Sequence, residues 1–510
     1  MGKEVTDLSS ASRSITTRTV PVNYYRKSMP LLQIKRKITT MFHNSLDLQL
    51  CHIGEQFLVA YLDTVVDLDR VEREIIKQLK DFPDQPMESS IITTPIVYQK
   101  NWKKICKSMT RGHVIVFAQG SESPIAIPIA KFSQRQITEP ESEKQIRGSK
   151  EGFIEDISVN ISLLRKRMNS PSLVFEEMNI GTLTETRVVI CYIAGLCDPE
   201  ILKEVKRRLK AINIQSVLES GYIEELIIDH PYSCFPQVEQ TEKPDNMLAQ
   251  ILEGRVAIMV NGSPLAIAVP TIFTQFVQAS EDNYENYIYA TFLRILRMMA
   301  MPIALYLPAL YVAITTIHQE MIPTDLVLKI AGAREGVPFP AVLEALIMEF
   351  AFELLREAGV RLPAQVGQAL SIVGALIIGQ AAVEAGLVSP IMVVAVAFSG
   401  ISSFVIPAYR LSISFRLLRF VILLASAFLG LVGFVLINLF LLVHLTSMQS
   451  FGVPYFEPLG PMKYGQMKDW FFRQWWGQKA KQPYNIALSR MDDQMIFEQD
   501  TKTRKGNYRK

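Results

Sequence analysis

MMAMPIALYLPALYVAITTI, residues 298–317, runs for twenty residues without a charge. A helix that crosses a bilayer needs about 20 predominantly apolar residues. In lipid every backbone polar group must find its partner inside the segment, so helix is the only sensible state. The stretch therefore reads as a membrane helix, with Pro302 and Pro308 as points where it would kink. It also divides the chain. Residues 1–290 mix charge and hydrophobicity as a soluble protein does, whereas residues 362–383, 391–409 and 420–443 repeat the uncharged pattern. Four such runs close together argue against the buried helices of a soluble enzyme. The expected fold is an α/β soluble N-terminal region followed by an α-helical polytopic membrane domain over 286–447 and a polar tail over 448–510.

Residues 337–356 are apolar but carry Glu344, Glu349 and Glu353. Positions 349, 353 and 356 share one helix face. A charged carboxylate at mid-bilayer costs roughly 2.5–3.5 kcal/mol on insertion scales, so these groups would not face lipid. Either the helix lines an aqueous cavity, or it lies at the interface with Glu353 and Arg356 as a surface pair. Basic residues near span ends set orientation. Placing Arg294 and Arg297, Arg356 and Arg361, and Arg410, Arg416 and Arg419 on the inside requires this helix to cross. That gives five crossings and an outside C-terminus, against a basic tail with Lys502, Arg504, Lys505, Arg509 and Lys510 that favours the inside. Gly430 and Gly433 are where the long last run would break. The expectation is four to six crossings.

The soluble half looks duplicated. VAYLDTVVDLDRVEREIIKQL (59–79) and ICYIAGLCDPEILKEVKRRL (190–209) each run strand, Tyr, turn, Asp, amphipathic helix. Asp67 and Asp198 are suited to cap those helices. GHVIVFAQGSESPIAIPI (112–129) and GRVAIMVNGSPLAIAVP (254–270) each read as a hairpin turning at Gly120 or Gly262. Two related α/β subdomains follow, over 41–138 and 171–285, joined by a helical segment over 139–170 and preceded by a flexible polar stretch over 1–40. No apolar signal core opens the chain, so the N-terminal region is expected to stay on the side of synthesis. Five scattered cysteines without a CxxC pair fit free thiols in a reducing compartment. Lys and Arg number 53 against 50 Asp and Glu; that balance excludes a global polyanion binder, and no nucleic-acid partner is expected.

No nucleotide-binding, zinc-protease or serine-hydrolase motif is present, and the six histidines show no metal-ligand spacing. The chain is expected to be no enzyme and to need no cofactor. Gly367, Ser371, Ala375 and Gly379 recur at i+4, which permits close helix packing or a narrow pore or gating face. Gln368, Gln380 and Glu384 add polarity to that helix. Arg165, Lys166 and Arg167 end the connecting helix, either as a solvated end or as contacts for lipid headgroups or a partner.

EPESEKQIRGSKEGFIED (139–156), NISLLRKR (160–167), LESGYIEELI (218–227), SEDNY (280–284) and GAREGVPFPAVLEALIMEFAFELLREAGVRLP (332–363) together resemble the A subunit of bacterial spore germinant receptors, from about residue 45 to 460. The KPDN stretch (243–246) departs from that pattern, with Lys243 where the family usually has Arg. That substitution keeps the charge but loses the bidentate fork. The resemblance implies a protein of the spore inner membrane with its N-terminal region facing the spore core. It implies a homo-oligomeric, nutrient-gated ion channel working with a transporter-like B subunit and a lipoprotein C subunit to trigger germination. A non-conducting scaffold or transporter component of the same complex is the alternative.

Overall fold

The computed structural model describes residues 24–25, 27, 29–82, 95–131, 143, 147–361, 379–462 and 470–475. The chain divides into two compact units. One holds the N-terminal residues to Arg135 together with Ser158–Glu176, and the other holds Gln136–Ile157 and Glu177 onward.

The first unit is built on a sheet of β1 (Leu48–Ile53), β2 (Phe57–Leu62), β3 (Val97–Tyr98), β4 (His113–Ala118) and β5 (Ile125–Pro128), in the order β1-β2-β4-β5-β3. Every residue of β2 is buried, as expected of a central strand. Helices α1 (Leu31–Met41), α2 (Leu68–Val71), α3 (Lys77–Asp81) and α4 (Trp102–Met109) belong to this unit; α2 passes into α3 through a π-helical turn at Glu72–Ile76. Ile34, Ile38, Leu79, Ile105 and Met109 join the strands in one apolar core. Asp67 caps α2, its side chain accepting from the Arg70 N–H at 3.4 Å. At Gly112 φ is +82°, and a Cβ would sit 2.6 Å from the Ala130 Cβ, so only glycine fits.

The second sheet contains β6 (Leu173–Ile180), β7 (Thr186–Ile193), β8 (Glu239–Thr241), β9 (Val256–Val260) and β10 (Ala266–Val269), in the order β6-β7-β9-β10-β8. Strand for strand this repeats the first. Val59 opposes Val116 in one sheet as Ile190 opposes Ile258 in the other, and both hairpins turn at a glycine with φ near +80° to +90° (Gly120 and Gly262). Asp198 caps α6 (Pro199–Ala211) through the Glu200 N–H at 2.9 Å, after α5 (Ile157–Arg167). The helices α7 (Ser220–Ile227) and α8 (Pro244–Leu252) complete this region.

The boundaries differ from the linear reading at the N-terminus, where the end of the expected flexible stretch forms α1 with Leu31, Ile34 and Ile38 buried in the first core, at the tail, where Met448, Phe451, Val453 and Tyr455 are buried, and at the connecting helix. The helix expected to bridge the subdomains belongs, from Ser158, with the first unit. Its Ile161, Leu163 and Leu164 are buried, and so is Arg165.

The remainder of the second unit is mostly helical, with a short antiparallel pair at Gln449–Ser450 and Val453–Pro454. It comprises α9 (Tyr287–Thr316), α10 (Thr324–Arg334), α11 (Ala341–Arg361), α12 (Pro390–Phe404) and α13 (Tyr409–Ser447). Among the described residues two helices are long and apolar enough to cross a membrane, α9 and α13, and α12 is a shorter apolar helix. Helix α9 stays helical through Pro302 and Pro308. Gly430 breaks α13 with φ +60° and ψ −139°. A Cβ on Gly433 would collide with the Ala425 oxygen; eight residues of straight helix would separate those positions by about 12 Å. The chain therefore doubles back at Gly430, and α13 is a hairpin of two helices, 409–429 and 431–447. His318, just past α9, sits at this bend and accepts from the Leu431 N–H at 3.4 Å.

Candidate functional site

The segments around the second sheet are fastened to the helices at several points. Asp282 occupies a short 3-10 turn, Ser280–Asn283, that leads into α9. Its carboxylate is fully buried between Arg294 (3.1 Å) and Arg297 (2.7 Å), one turn apart on α9. Glu224 on α7 pairs with Arg410 at the start of α13 and accepts from the Gln240 side chain at 2.7 Å. Burial raises the Glu224 carboxyl above its ordinary range, and Arg410 opposes that rise. At the other end of α13, His444 meets the Ser233 hydroxyl at 2.9 Å.

The chain then returns to the sheet. Ser450 accepts from the Thr271 N–H at 3.1 Å, the Tyr455 carbonyl accepts from the Phe273 N–H at 2.7 Å, and the Tyr455 hydroxyl donates to the Pro236 carbonyl at 2.6 Å. A cavity of about 240 Å³ lies at this junction, walled by Phe235, Phe273, Leu305 and Phe415, with Tyr306 and Asn438 as its polar edges.

Deeper along the helices the three glutamates of α11 each meet an arginine. Glu344 pairs with Arg334 at 3.1 Å and accepts from the Ser389 N–H at 2.8 Å. Glu349 pairs with Arg419 at 2.7 Å, both almost wholly buried. Glu353 pairs with Arg416 at 2.6 Å, and its contact with Arg356 is only 4.0 Å. The Glu353–Arg356 pair is thus present as the longer of the two contacts of Glu353. Arg356 also donates to Ser403 at 2.7 Å and lies over the Phe404 ring.

These contacts fix directions. Glu344 lies beside Ser389 and Arg356 beside Ser403, so α11 and α12 run the same way. Glu353 meets Arg416 and Glu349 meets Arg419, so 409–429 runs against α11.

Of the other residues singled out by sequence, Gln380 donates to Glu384 at 2.9 Å on an exposed surface. Gly379 faces Val393, with 3.4 Å between a would-be Cβ and the valine methyl. Gly367, Gln368, Ser371 and Ala375 lie outside the described residues. The basic end of α5 is corrected at Arg165. Its guanidinium is buried, holds Asp47 with two bonds of 2.9 Å and stacks on Phe175, so it can meet neither solvent nor headgroups. Its conformation serves the first unit's core; Lys166 remains exposed and Arg167 partly so. Sequence reasoning used Arg294, Arg297, Arg410, Arg416 and Arg419 only as orientation markers and gave Asp282 and Glu224 no role. The usable signal was an apolar run that itself carries arginines, which need acidic partners from outside it.

The sequence matches the family described as Bacillus/Clostridium GerA spore germination protein over residues 34–485. It is 44% identical over 447 residues to spore germination protein KA of Bacillus subtilis (strain 168), covering 85% of this chain and 82% of that one. It is 43% identical over 432 residues to the uncharacterized membrane protein YfkQ of the same strain, covering 83% and 84%. Among solved structures, the N-terminal domain of the A subunit of the Bacillus megaterium spore germinant receptor GerK3 aligns with 49% of this chain and 98% of its own, at 25% identity and a TM-score of 0.38. The chain belongs to the GerA spore germination protein family.

Proposed function

We propose that this member of the GerA family is the A-type subunit of a nutrient germinant receptor in the spore inner membrane. It assembles there as an oligomeric, nutrient-gated ion channel together with a transporter-like B subunit and a lipoprotein C subunit. The observation that carries the reading is the buried Asp282 clasp on Arg294 and Arg297, which ties the last turn of the sheet region to the first turns of α9. A buried carboxylate shared by two guanidiniums is costly to separate, so a movement of the sheet is passed to the helix rather than absorbed between them.

The contacts also support a topology of six passes. Helix α9 leads from the sheet to the bend at Gly430, and α11 leads back. Helix α12 runs parallel to α11, and the uncharged run 362–383 is taken from its sequence as a further pass. Helix α12 and the two halves of α13 complete the count, and the tail at Ser450 and Tyr455 rejoins the sheet. An even count puts every arginine cluster and the basic tail on the sheet side, which removes the conflict in the charge pattern.

The small residues Gly367, Ser371, Ala375 and Gly379 serve as the pore or gating face in this reading, with Gln368, Gln380 and Glu384 beside them. Spores carrying Asp282→Asn or Gly379→Leu test it. The expected result is a receptor that accumulates normally on immunoblots, with nutrient-triggered ion release lost or made independent of nutrient. Variants that accumulate and release ions like the parent would favour the non-conducting scaffold.

A further inference from the structure

Arg356, Arg416 and Arg419 gather on α11 and α13, and among the described residues the carboxylates that pair with them are Glu349 and Glu353. Arg356 lies within electrostatic reach of both other arginines. The cluster therefore carries one positive charge in excess, in a place where an uncompensated charge is strongly disfavoured. Its hydrogen bonds are also incomplete. The Nε groups of Arg356, Arg416 and Arg419 and the Nη2 of Arg419 are buried and have no acceptor among the described residues. The Arg419 side chain is only 2% exposed. Three guanidiniums with unused donors are the chemistry that binds an oxyanion.

Position narrows the source. Arg410 pairs with the sheet through Glu224, and Arg416 and Arg419 follow it by about 9 and 14 Å along the helix at 1.5 Å per residue. That is headgroup to upper acyl depth. Phe404 and Tyr409 beside the cluster are exposed, as lipid-facing residues are. Basic pockets between membrane helices on the cytoplasmic side take anionic headgroups.

We propose that Arg356, Arg416 and Arg419 form a phosphate-oxyanion site, filled by the headgroup of an anionic phospholipid or by free phosphate. The site rests on the membrane reading of these helices. An alkaline wash of membranes separates the two failures, since protein that stays integral yet binds no anion sinks only this site.

The test uses the purified, delipidated full chain in neutral detergent, titrated with phosphatidylglycerol, phosphatidylcholine or inorganic phosphate and followed by thermal stability and native mass spectrometry. Arg356→Gln removes the guanidinium whose closest partner is a neutral hydroxyl and spares both tight ion pairs; Arg356→Lys keeps the charge. Phosphatidylglycerol should bind at least tenfold more tightly than phosphatidylcholine, with that preference lost in Arg356→Gln and largely kept in Arg356→Lys. Stabilisation by inorganic phosphate alone, lost in Arg356→Gln, would support the site with a free oxyanion as its occupant. Equal binding of the two lipids with no phosphate effect in the parent protein would overturn the proposal even if Arg356→Gln fails to fold. So would a folded Arg356→Gln protein that binds like the parent.

Discussion

The two sheets share a strand order but use their buried charges differently. In the first unit Asp47 is held by Arg165, supported by Ser45 at 2.7 Å, and the pair closes that unit on its own returning segment. In the second unit Asp282 and Glu224 reach into α9 and α13 instead. The same scaffold thus serves two ends. One ion pair locks a unit, whereas the others couple a sheet to helices. Duplication supplies the frame, and the placement of a few buried charges differs between the copies.

The largest break in that comparison comes from Asp282→Ala. It removes the carboxylate shared by two buried guanidiniums, and losing one partner of a buried pair costs about 3–5 kcal/mol. Thermal melting of the purified protein should fall sharply, and variant spores should lose nutrient-triggered ion release. Arg165→Ala is the matching break in the first unit. Hydrogen exchange should rise over residues 45–62 and stay unchanged over 282–300. Exchange rising equally in both stretches would show that the two locks are not separate. Arg165→Lys should be milder, because charge survives without the fork, with a loss of about 1.5–3 kcal/mol, the worth of hydrogen bonds to charged groups.

A smaller effect is expected at Gly430. Any side chain there must take a glycine backbone conformation and meets the His318 ring 2.5 Å from its Cβ. Strain of this kind is about 1–3 kcal/mol. Gly430→Ala should lower the melting temperature while leaving the sheets' circular dichroism intact.

The pH dependence offers a further break. Burial pushes the Glu239 carboxyl up to about 7 from its usual 4.5, against the pull of Arg255. The folded protein then holds this proton where the unfolded chain has released it. Stability should therefore fall as pH rises from about 5 to about 7. Glu239→Gln should flatten that slope, and an unchanged slope would assign it to another group.

Much of the frame was legible because the physics is local. Period-two apolar runs, Asp67 and Asp198 before amphipathic helices, and glycine turns at 120 and 262 each announce an element without reference to the rest of the chain. The long uncharged helices follow from length alone. The bend at Gly430 was visible as a weak point, yet that it reverses the chain depends on packing against His318, which no window of sequence contains. The partners of Glu344, Glu349 and Glu353 lie 10, 70 and 63 positions away, so it was readable that these groups avoid lipid, while their pairing with arginines was not. Arg165 misled because three consecutive basic residues resemble a solvated end; one of them points inward to an aspartate 118 positions earlier.

The central claim is that the chain leaves the sheet, turns at Gly430 and comes back to it on the same side. Membrane-impermeant maleimide applied to intact protoplasts tests this directly, using Glu320→Cys beside the bend and Gln449→Cys where the tail rejoins the sheet; both positions are exposed. The account predicts that Glu320→Cys labels from outside. Gln449→Cys and the native cysteines, of which Cys234 is the exposed one, should label only after permeabilisation. Labelling of Gln449→Cys from outside, or of both positions from one side, would contradict it.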